Sequence, residues 1–128
     1  MSQTVISVVD DMFFASKIRA VAEAASVEIS FPRSREAVVS KARETKPALI
    51  VVDLHNQRID PVALAQALKA DEELRGIRLL GFFSHVQTDL KKNAVSAGFD
   101  EVIPRSVFAR DLAELLTADY TDTGAITS

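Results

Sequence analysis

Four short apolar segments, separated by stretches with helical periodicity, constrain the fold of this chain more than any other feature. Three of the four are nearly continuous rather than alternating in polarity, which is typical of parallel strands covered on both faces. We therefore predict buried parallel strands here, with a weaker fifth strand near the end of the chain. The predicted strands run from Val5 to Val9, Val27 to Phe31, Ala48 to Val52, Ile77 to Phe83 and Glu101 to Pro104.

The segments between these strands have the pattern of amphipathic helices. Ser34 precedes the second of them and is predicted to cap it, while Pro61 opens the third at a position whose amide has no helical partner. Gly76 and Gly98 are predicted to stand where a helix ends and a strand begins. Apolar residues recur at helical spacing in the first, fourth and last segments: Phe14, Ile18, Val21, Ala22 and Ala25; Leu90, Ala94 and Ala97; Phe108, Leu112, Leu115 and Leu116.

Five repeats of strand then helix predict right-handed crossovers and a parallel sheet with helices on both faces. We predict an α/β fold of three layers, a doubly wound (βα)5 unit whose five-stranded parallel sheet has the order 2-1-3-4-5, as in flavodoxin-like proteins. A chain of 128 residues with 48% hydrophobic residues can fill one core. We expect one domain over residues 1–118 and a flexible C-terminal tail over residues 119–128, whose sequence is polar and without periodicity.

Composition argues against several kinds of partner. Lys and Arg number 15 against 18 Asp and Glu, and the basic residues are scattered along the sequence, so we expect no direct contact with nucleic acid. The absence of cysteine excludes disulfides and thiolate metal sites. The chain begins without the pattern of a secretory signal, and no apolar run approaches the roughly 20 residues of a membrane span. We expect a cytoplasmic protein with no membrane partner.

Polar side chains follow the predicted strands at the point where each ends. Asp10 and Asp11 follow the first strand, Asp53 the third, Ser84 the fourth and Arg105 the fifth. Since the carboxyl ends of parallel strands meet at one edge of a sheet, these residues are predicted to converge. Carboxylates brought close together require a raised pKa or a cation, and Mg²⁺ is a cation that prefers oxygen ligands.

A magnesium ion at this edge would allow a carboxylate to attack phosphorus, because the metal offsets the repulsion between the two anions. Ser84 and Arg105 could then hold the oxygens of the transferred phosphoryl group. The constellation therefore suits an aspartyl phosphate.

With these residues, the chain resembles the receiver domains of two-component response regulators from Val5 to Leu116. The resemblance rests on "VVDDMFFASKIRAV", "PALIVVDLHNQRIDP", "LLGFFSHV" and "AVSAGFDEVIPRS", in this order and at receiver-like spacing. It implies that Asp53 is the phosphoacceptor, that Ser84 is the switch hydroxyl, and that Arg105 stands in place of the family lysine. The implied Mg²⁺ ligands are Asp10, Asp11, Asp53 and the backbone carbonyl of His55.

The chain also departs from the receiver pattern, so it is identified as a partly atypical member. Arginine and lysine are not interchangeable at a tight phosphate site, because the guanidinium is a wide planar fork and the ammonium a compact point charge. Ser106 follows Arg105 where the family has a proline, and Val102 stands where many receivers carry an aromatic residue that moves on activation. After Asp53 the chain reads "LHNQRIDP", with Asn56 and Gln57 in place of the family's usual Met-Pro pair and Pro61 in place of a glycine.

The resemblance implies a stand-alone, chemotaxis-type receiver that takes a phosphoryl group from a sensor histidine kinase or a phosphotransfer protein. It implies signalling to an unknown downstream protein through the face of the fourth helix, fifth strand and fifth helix, and it leaves a homodimer open. No enzymatic activity is implied beyond the chain's own phosphorylation and dephosphorylation.

Two alternatives stay open from the sequence. The first is a pseudo-receiver, a phosphorylation-independent protein-interaction module, which Arg105, Ser106 and Val102 favour. The second, less favoured, is a nucleotide or flavin binder of the same architecture. Such a protein would need a phosphate-cradling loop after the first strand, and "DDMFFAS" has no glycine and two carboxylates there.

Overall fold

The structure is a computed structural model of the chain and describes residues 3–84 and 89–120. Strands and helices alternate along this part of the chain. The strands are β1 (Thr4–Val8), β2 (Glu28–Ser30), β3 (Leu49–Asp53), β4 (Arg78–Phe83) and β5 (Glu101–Pro104). The helices are α1 (Met12–Ala24), α2 (Arg35–Thr45), α3 (Pro61–Ala70), α4 (Leu90–Ala97), α5 (Arg105–Arg110) and α6 (Leu112–Thr117).

The five strands form one parallel sheet in the order β2-β1-β3-β4-β5. This confirms the predicted sheet and its strand order. Strand ends differ from the prediction by a residue at most, and the difference matters at β3, which was expected to end at Val52 and instead includes Asp53. Asp53 pairs with Phe82 of β4 because the amide of Leu54 donates to the Phe82 carbonyl oxygen at 2.9 Å.

Two hydrophobic cores, one on each face of the sheet, make the three predicted layers. Because side chains alternate along a strand, β3 contributes Leu49 and Val51 to one core and Ile50 and Val52 to the other. The first core also holds apolar residues of α1, α5 and α6, and the second holds those of α2, α3 and α4. The central strand is therefore buried on both sides, which fixes the position of its last residue.

Short polar side chains begin the first three helices. Asp11 caps α1, Ser34 caps α2 by accepting a hydrogen bond from the amide of Ala37 at 3.0 Å, and Asp60 caps α3 by accepting one from Ala63 at 3.2 Å. Pro61 is the first residue of α3. The predictions for Ser34 and Pro61 are confirmed.

The two glycines predicted to end helices differ in outcome. Gly98 follows α4 with φ +124°, a conformation that L side chains rarely adopt, so this prediction is confirmed. The prediction for Gly76 is wrong, because α3 already ends at Ala70. Asp71 ends it by turning the chain: its carboxylate accepts a hydrogen bond from the amide of Glu73, and its carbonyl accepts one from the amide of Leu74.

The predicted fifth helix is interrupted at Asp111, which separates α5 from α6. Asp111 has φ −102° and ψ 17°, and the guanidinium of Arg110 donates two hydrogen bonds to its carboxylate. The amide of Asp111 still donates to the carbonyl of Val107, and that of Leu115 to the carbonyl of Asp111. The chain therefore bends at Asp111 between α5 and α6, and Phe108, Leu112 and Leu116 lie in one core.

Tyr120 packs on the sheet just after α6. Its hydroxyl donates a hydrogen bond to the carbonyl of Leu115 at 2.8 Å, and the guanidinium carbon of Arg78 lies 5.9 Å from its ring centroid. Burial raises the pKa of the Tyr120 phenol. The predicted tail began at residue 119, and its residues 121–128 lie outside the described part. Within residues 3–84 and 89–120, no helix is both long enough and apolar enough to span a bilayer.

Candidate functional site

The register of the sheet brings the predicted polar residues to one edge. Val8 of β1 pairs with Val52 of β3, so Asp10 and Asp11 leave β1 beside the strand end that carries Asp53. Asp53 pairs with Phe82 of β4, and Phe83 pairs with Pro104 of β5. Ser84 and Arg105 are the next residues on those two strands. All five predicted side chains therefore follow neighbouring strand ends on a single edge.

Asp53 is held by the segment that follows it. Its Oδ1 accepts a hydrogen bond from the amide of His55 at 2.9 Å, and its carbonyl accepts one from the amide of Asn56 at 3.0 Å. The carboxylate is half-buried and makes no other hydrogen bond with a described residue. Asp53 thus presents a positioned carboxylate with oxygen lone pairs left for a ligand.

The buried side chain of Leu54 packs against Gly81 of the neighbouring strand. A β-carbon built on Gly81 would lie 2.8 Å from Cδ2 of Leu54. A side chain at position 81 would therefore require the Leu54 side chain to move.

Asp11 is engaged on both of its oxygens. Oδ1 accepts hydrogen bonds from the amides of Phe13 at 2.9 Å and Phe14 at 3.2 Å, and Oδ2 accepts one from the guanidinium of Arg105 at 3.2 Å. The amide of Phe14, followed by the side chain of Arg105, holds the pKa of the Asp11 carboxyl below its usual value of 3.8. Asp11 therefore begins α1 and also pairs with the cation at the end of β5.

Arg105 is the first residue of α5 and lies over an aromatic cluster. Its guanidinium carbon is 4.1 Å from the centroid of the Phe14 ring. The Phe14 ring contacts the rings of Phe82 and Phe108 edge to face, with centroid distances of 5.5 and 5.8 Å. The rings of Phe82 and Phe108 stack on each other at a centroid distance of 4.8 Å. The aromatic cluster fixes the guanidinium on Asp11 rather than leaving it in solvent.

Asp10 and Ser84 are exposed at the same edge. Neither side chain forms a hydrogen bond with a described residue. They are therefore accessible to a ligand without breaking an internal contact.

The oxygen donors at this edge fit a hard cation. Within the described ranges, no group of three or more His, Cys, Asp or Glu side chains stands close enough to hold a metal ion. Mg²⁺ usually needs only one or two protein carboxylates, since it keeps several waters. Asp10, Asp53 and the His55 carbonyl offer only oxygen, whereas Asp11 is occupied by α1 and Arg105.

Sequence reasoning missed the partners of Arg105. It placed Arg105 opposite Asp53, but the structure pairs it with Asp11 and Phe14. Phe14 was predicted only as a core residue of α1. Phe14 lies three residues after Asp11, on the helix that begins at the site. That position could have indicated that its ring lies near the site.

Several solved structures with similar folds are receiver domains or response regulators. A CheY-like response regulator receiver domain from Methanospirillum hungatei has a TM-score of 0.80 at 15% identity, covering 97% of this chain and 98% of that one. The receiver domain of a sensor histidine kinase from Pseudomonas aeruginosa, described with a magnesium ion in its active-site cleft, has a TM-score of 0.79 at 16% identity over 94% and 98%. The chemotaxis response regulator CheY4 of Vibrio cholerae has a TM-score of 0.78 at 13% identity over 91% and 97%.

One curated relative supports the same assignment. The response regulator protein VraR of Staphylococcus saprophyticus is 30% identical over 88 residues, which are 69% of this chain and 41% of that protein. No model of a protein family matches the chain. The fold is thus that of the doubly wound, flavodoxin-like α/β proteins. Within that class, the chain has the receiver-domain fold of two-component response regulators, and the predicted resemblance is confirmed at this level.

Proposed function

We propose that this chain is a phosphoacceptor receiver whose Asp53 takes a phosphoryl group from a histidine kinase or a phosphotransfer protein. The observation that carries the proposal is the placement of Asp53, half-buried at the end of the central strand, with Oδ1 fixed by the amide of His55. The adjoining strand ends supply Asp10, Asp11, Ser84 and Arg105.

The transfer is a displacement at phosphorus. A carboxylate oxygen of Asp53 forms a bond to phosphorus while the bond between phosphorus and the donor imidazole nitrogen breaks. The electron pair of the broken bond stays on that nitrogen, which takes up a proton from solvent. The exposed hydroxyl of Ser84 donates to an oxygen of the transferred group, and Arg105 adds positive charge.

Magnesium would be held by Asp10, Asp53 and the His55 carbonyl, with Asp11 joining when Arg105 leaves it. Bound there, the ion supplies charge neutralisation for the meeting of a carboxylate with a phosphoryl group. The release of Arg105 from Asp11 therefore accompanies activation. Arg105 then turns from a partner of Asp11 into a ligand of the phosphoryl group.

An apolar surface beside the acids suits a protein donor. Met12 and Phe13, at the start of α1, are 77% and 91% exposed. Large exposed apolar side chains next to a site typically contact another protein. The output surface is proposed to be the face of α4, β5 and α5, where Val95 of α4 is 53% exposed.

Acetyl phosphate and Mg²⁺ test the proposal directly. Mass spectrometry should show the addition of one phosphoryl group to the wild-type protein and to Asp89→Asn, and none to Asp53→Asn. Asp89 is a matched control because its carboxylate stands before α4 and caps no amide. Equal labelling of the two variants, or no labelling of the wild type, would overturn the proposal.

A pseudo-receiver is the second candidate, and the contact of Arg105 with Asp11 and Phe14 favours it. A cation already placed on a predicted metal ligand can replace the metal as the neutralising charge. In that case Asp53→Asn leaves the cellular output unchanged, while Val95→Asp on the exposed face of α4 abolishes it. The phosphoacceptor proposal expects Asp53→Asn to abolish the output as well.

A further inference from the structure

A cavity of about 130 Å³ opens where the chain leaves β1, β2 and β3. Three arginines from different segments line it: Arg19 of α1, Arg33 after β2 and Arg58 after β3. In the sequence these cations are far apart, and the strand order of the sheet brings them together. The segment "HNQR", one of the departures from the receiver pattern, supplies Arg58 and the buried Asn56 to the wall.

Among the described residues, the positive charges of this cavity exceed the negative ones. Asp10 is the one acidic residue in its lining, against three exposed arginines. Across residues 3–84 and 89–120, no acidic side chain forms an ion pair with Arg19, Arg33 or Arg58. An excess of two positive charges around a concave surface attracts an anion.

The walls of the cavity are held in place by internal contacts. Arg35 Nη1 donates a hydrogen bond to the carbonyl of Ile59 at 3.1 Å, which joins the start of α2 to the segment after β3. Asn56 accepts a hydrogen bond from the amide of Ile59, and the guanidinium of Arg19 lies 4.8 Å from the Phe31 ring centroid. These contacts keep the arginine-bearing segments in position before any ligand arrives.

The size of the cavity limits the ligand. Pockets for drug-sized ligands are about 300–1,000 Å³, and a water molecule takes up about 30 Å³ in the liquid. A cavity of about 130 Å³ is therefore smaller than a pocket for a drug-sized ligand and is large enough for a phosphate group. Guanidinium groups bind phosphate oxygens with paired, charge-assisted hydrogen bonds.

We propose that this cavity binds a phosphate dianion, either inorganic phosphate or the phosphate of a small monoester. The site is separate from Asp53 and does not depend on its phosphorylation. It shares Asp10 with the predicted metal site, so a bound phosphate lowers the positive potential around that carboxylate. Phosphate in the cavity and a cation on Asp10 are therefore expected to favour one another.

Nuclear magnetic resonance of the nitrogen-15 labelled full chain tests this site with inorganic phosphate as the probe. The titration is run without Mg²⁺, in wild type and in Asp53→Asn, with sodium chloride holding the ionic strength constant. Saturable shifts of the Arg33, Asn56 and Arg58 amides are expected in both proteins. The double variant Arg33→Ala/Arg58→Ala should bind about tenfold more weakly or worse.

Arg75→Ala is the matched control, because Arg75 is an exposed arginine after α3, at the opposite edge of the sheet, and should leave binding unchanged. A parallel titration with glucose 6-phosphate distinguishes the two sources. Binding at least as tight as that of phosphate indicates a monoester, and weaker binding indicates the free ion.

Three results would overturn the phosphate site: equal shifts with chloride alone, unchanged affinity in the double variant, or binding that disappears in Asp53→Asn. None of them bears on the labelling of Asp53 by acetyl phosphate. Failure of the phosphate site and failure of the phosphoacceptor proposal are therefore distinguishable.

Discussion

Arg105 and the arginines of the cavity lie at one edge of the sheet, but they differ in whether an acidic side chain contacts them. Arg105 donates to Asp11 and lies on the Phe14 ring, so its charge is partnered inside the protein. Arg33 and Arg58 line the cavity and have no acidic partner among the described residues. An arginine paired with a carboxylate must leave that carboxylate before it can bind an anion. An arginine without an acidic partner can bind an anion directly. The comparison predicts that the same substitution has a large effect on Mg²⁺ affinity at Arg105 and a small one at Arg58.

The largest effect is expected from removal of the ring beneath Arg105. Phe14 is 5% exposed and contacts both Phe82 and Phe108, so Phe14→Ala should lower the free energy of unfolding by about 3–5 kcal/mol. Urea denaturation measures the loss. Phe14→Leu keeps most of the apolar volume but removes the aromatic face, and is the control. If Phe14→Leu leaves Mg²⁺ affinity unchanged, the ring does not anchor Arg105.

The second test compares one arginine from each group. Arg105→Ala frees Asp11 for a metal ion and should raise Mg²⁺ affinity by about threefold to tenfold, measured by calorimetry. Arg58→Ala removes the same charge from the same edge without freeing a carboxylate. It only lowers the positive potential near Asp10, and should raise the affinity by less than about twofold. Equal gains in both variants would mean that overall charge matters and the Arg105 contact does not.

The third test concerns the arginine cavity and removes Arg35, which supports its wall. Arg35→Ala removes the hydrogen bond to the Ile59 carbonyl and should cost about 0.5–1.5 kcal/mol of stability. It should also weaken phosphate binding, because the segment carrying Arg58 loses its support. Arg75→Ala serves again as the control. Full phosphate affinity in Arg35→Ala would show that the cavity walls do not need this contact.

The smallest effect concerns the pH dependence of stability through Asp11. The amide of Phe14, and then Arg105, lower the folded-state pKa of this carboxyl below 3.8. Its contribution to stability is therefore complete above the unfolded pKa and is lost as the pH falls through the folded pKa. Asp11→Asn keeps a residue suited to cap α1 but removes the charge. Wild type should exceed Asp11→Asn in stability at neutral pH, and the difference should shrink as the pH falls below the unfolded pKa of 3.8. A constant difference would contradict this origin.

Most of the fold was predictable from the sequence because the strands are nearly continuous apolar segments. A run such as Ala48 to Val52 is typical of a strand buried on both faces of a parallel sheet, and the alternation with helices predicts the layers. The ends of elements were less predictable. Asp71 ends α3 through local hydrogen bonds and Asp111 bends the last helix, and both depend on side-chain contacts that periodicity does not contain.

The sequence predicted which residues lie at the candidate site, but it did not predict which of their side chains contact one another. Strand ends converge in any parallel sheet, so Asp10, Asp11, Asp53, Ser84 and Arg105 were expected at one edge. Whether Arg105 faces Asp11 or Asp53 depends on packing against Phe14, which the sequence does not reveal. The arginine cavity was missed for a related reason: residues judged scattered along the chain are gathered by the strand order β2-β1-β3.

The docking of Tyr120 gives the protein a spectroscopic signal of its own. The chain has one tyrosine and no tryptophan, so its fluorescence excited near the tyrosine absorption band comes from this single ring. The ring is fixed between the end of α6 and Arg78 at the start of β4. Any partner, modification or change of pH that lifts the end of the chain from the sheet will therefore alter the emission of Tyr120, without a label.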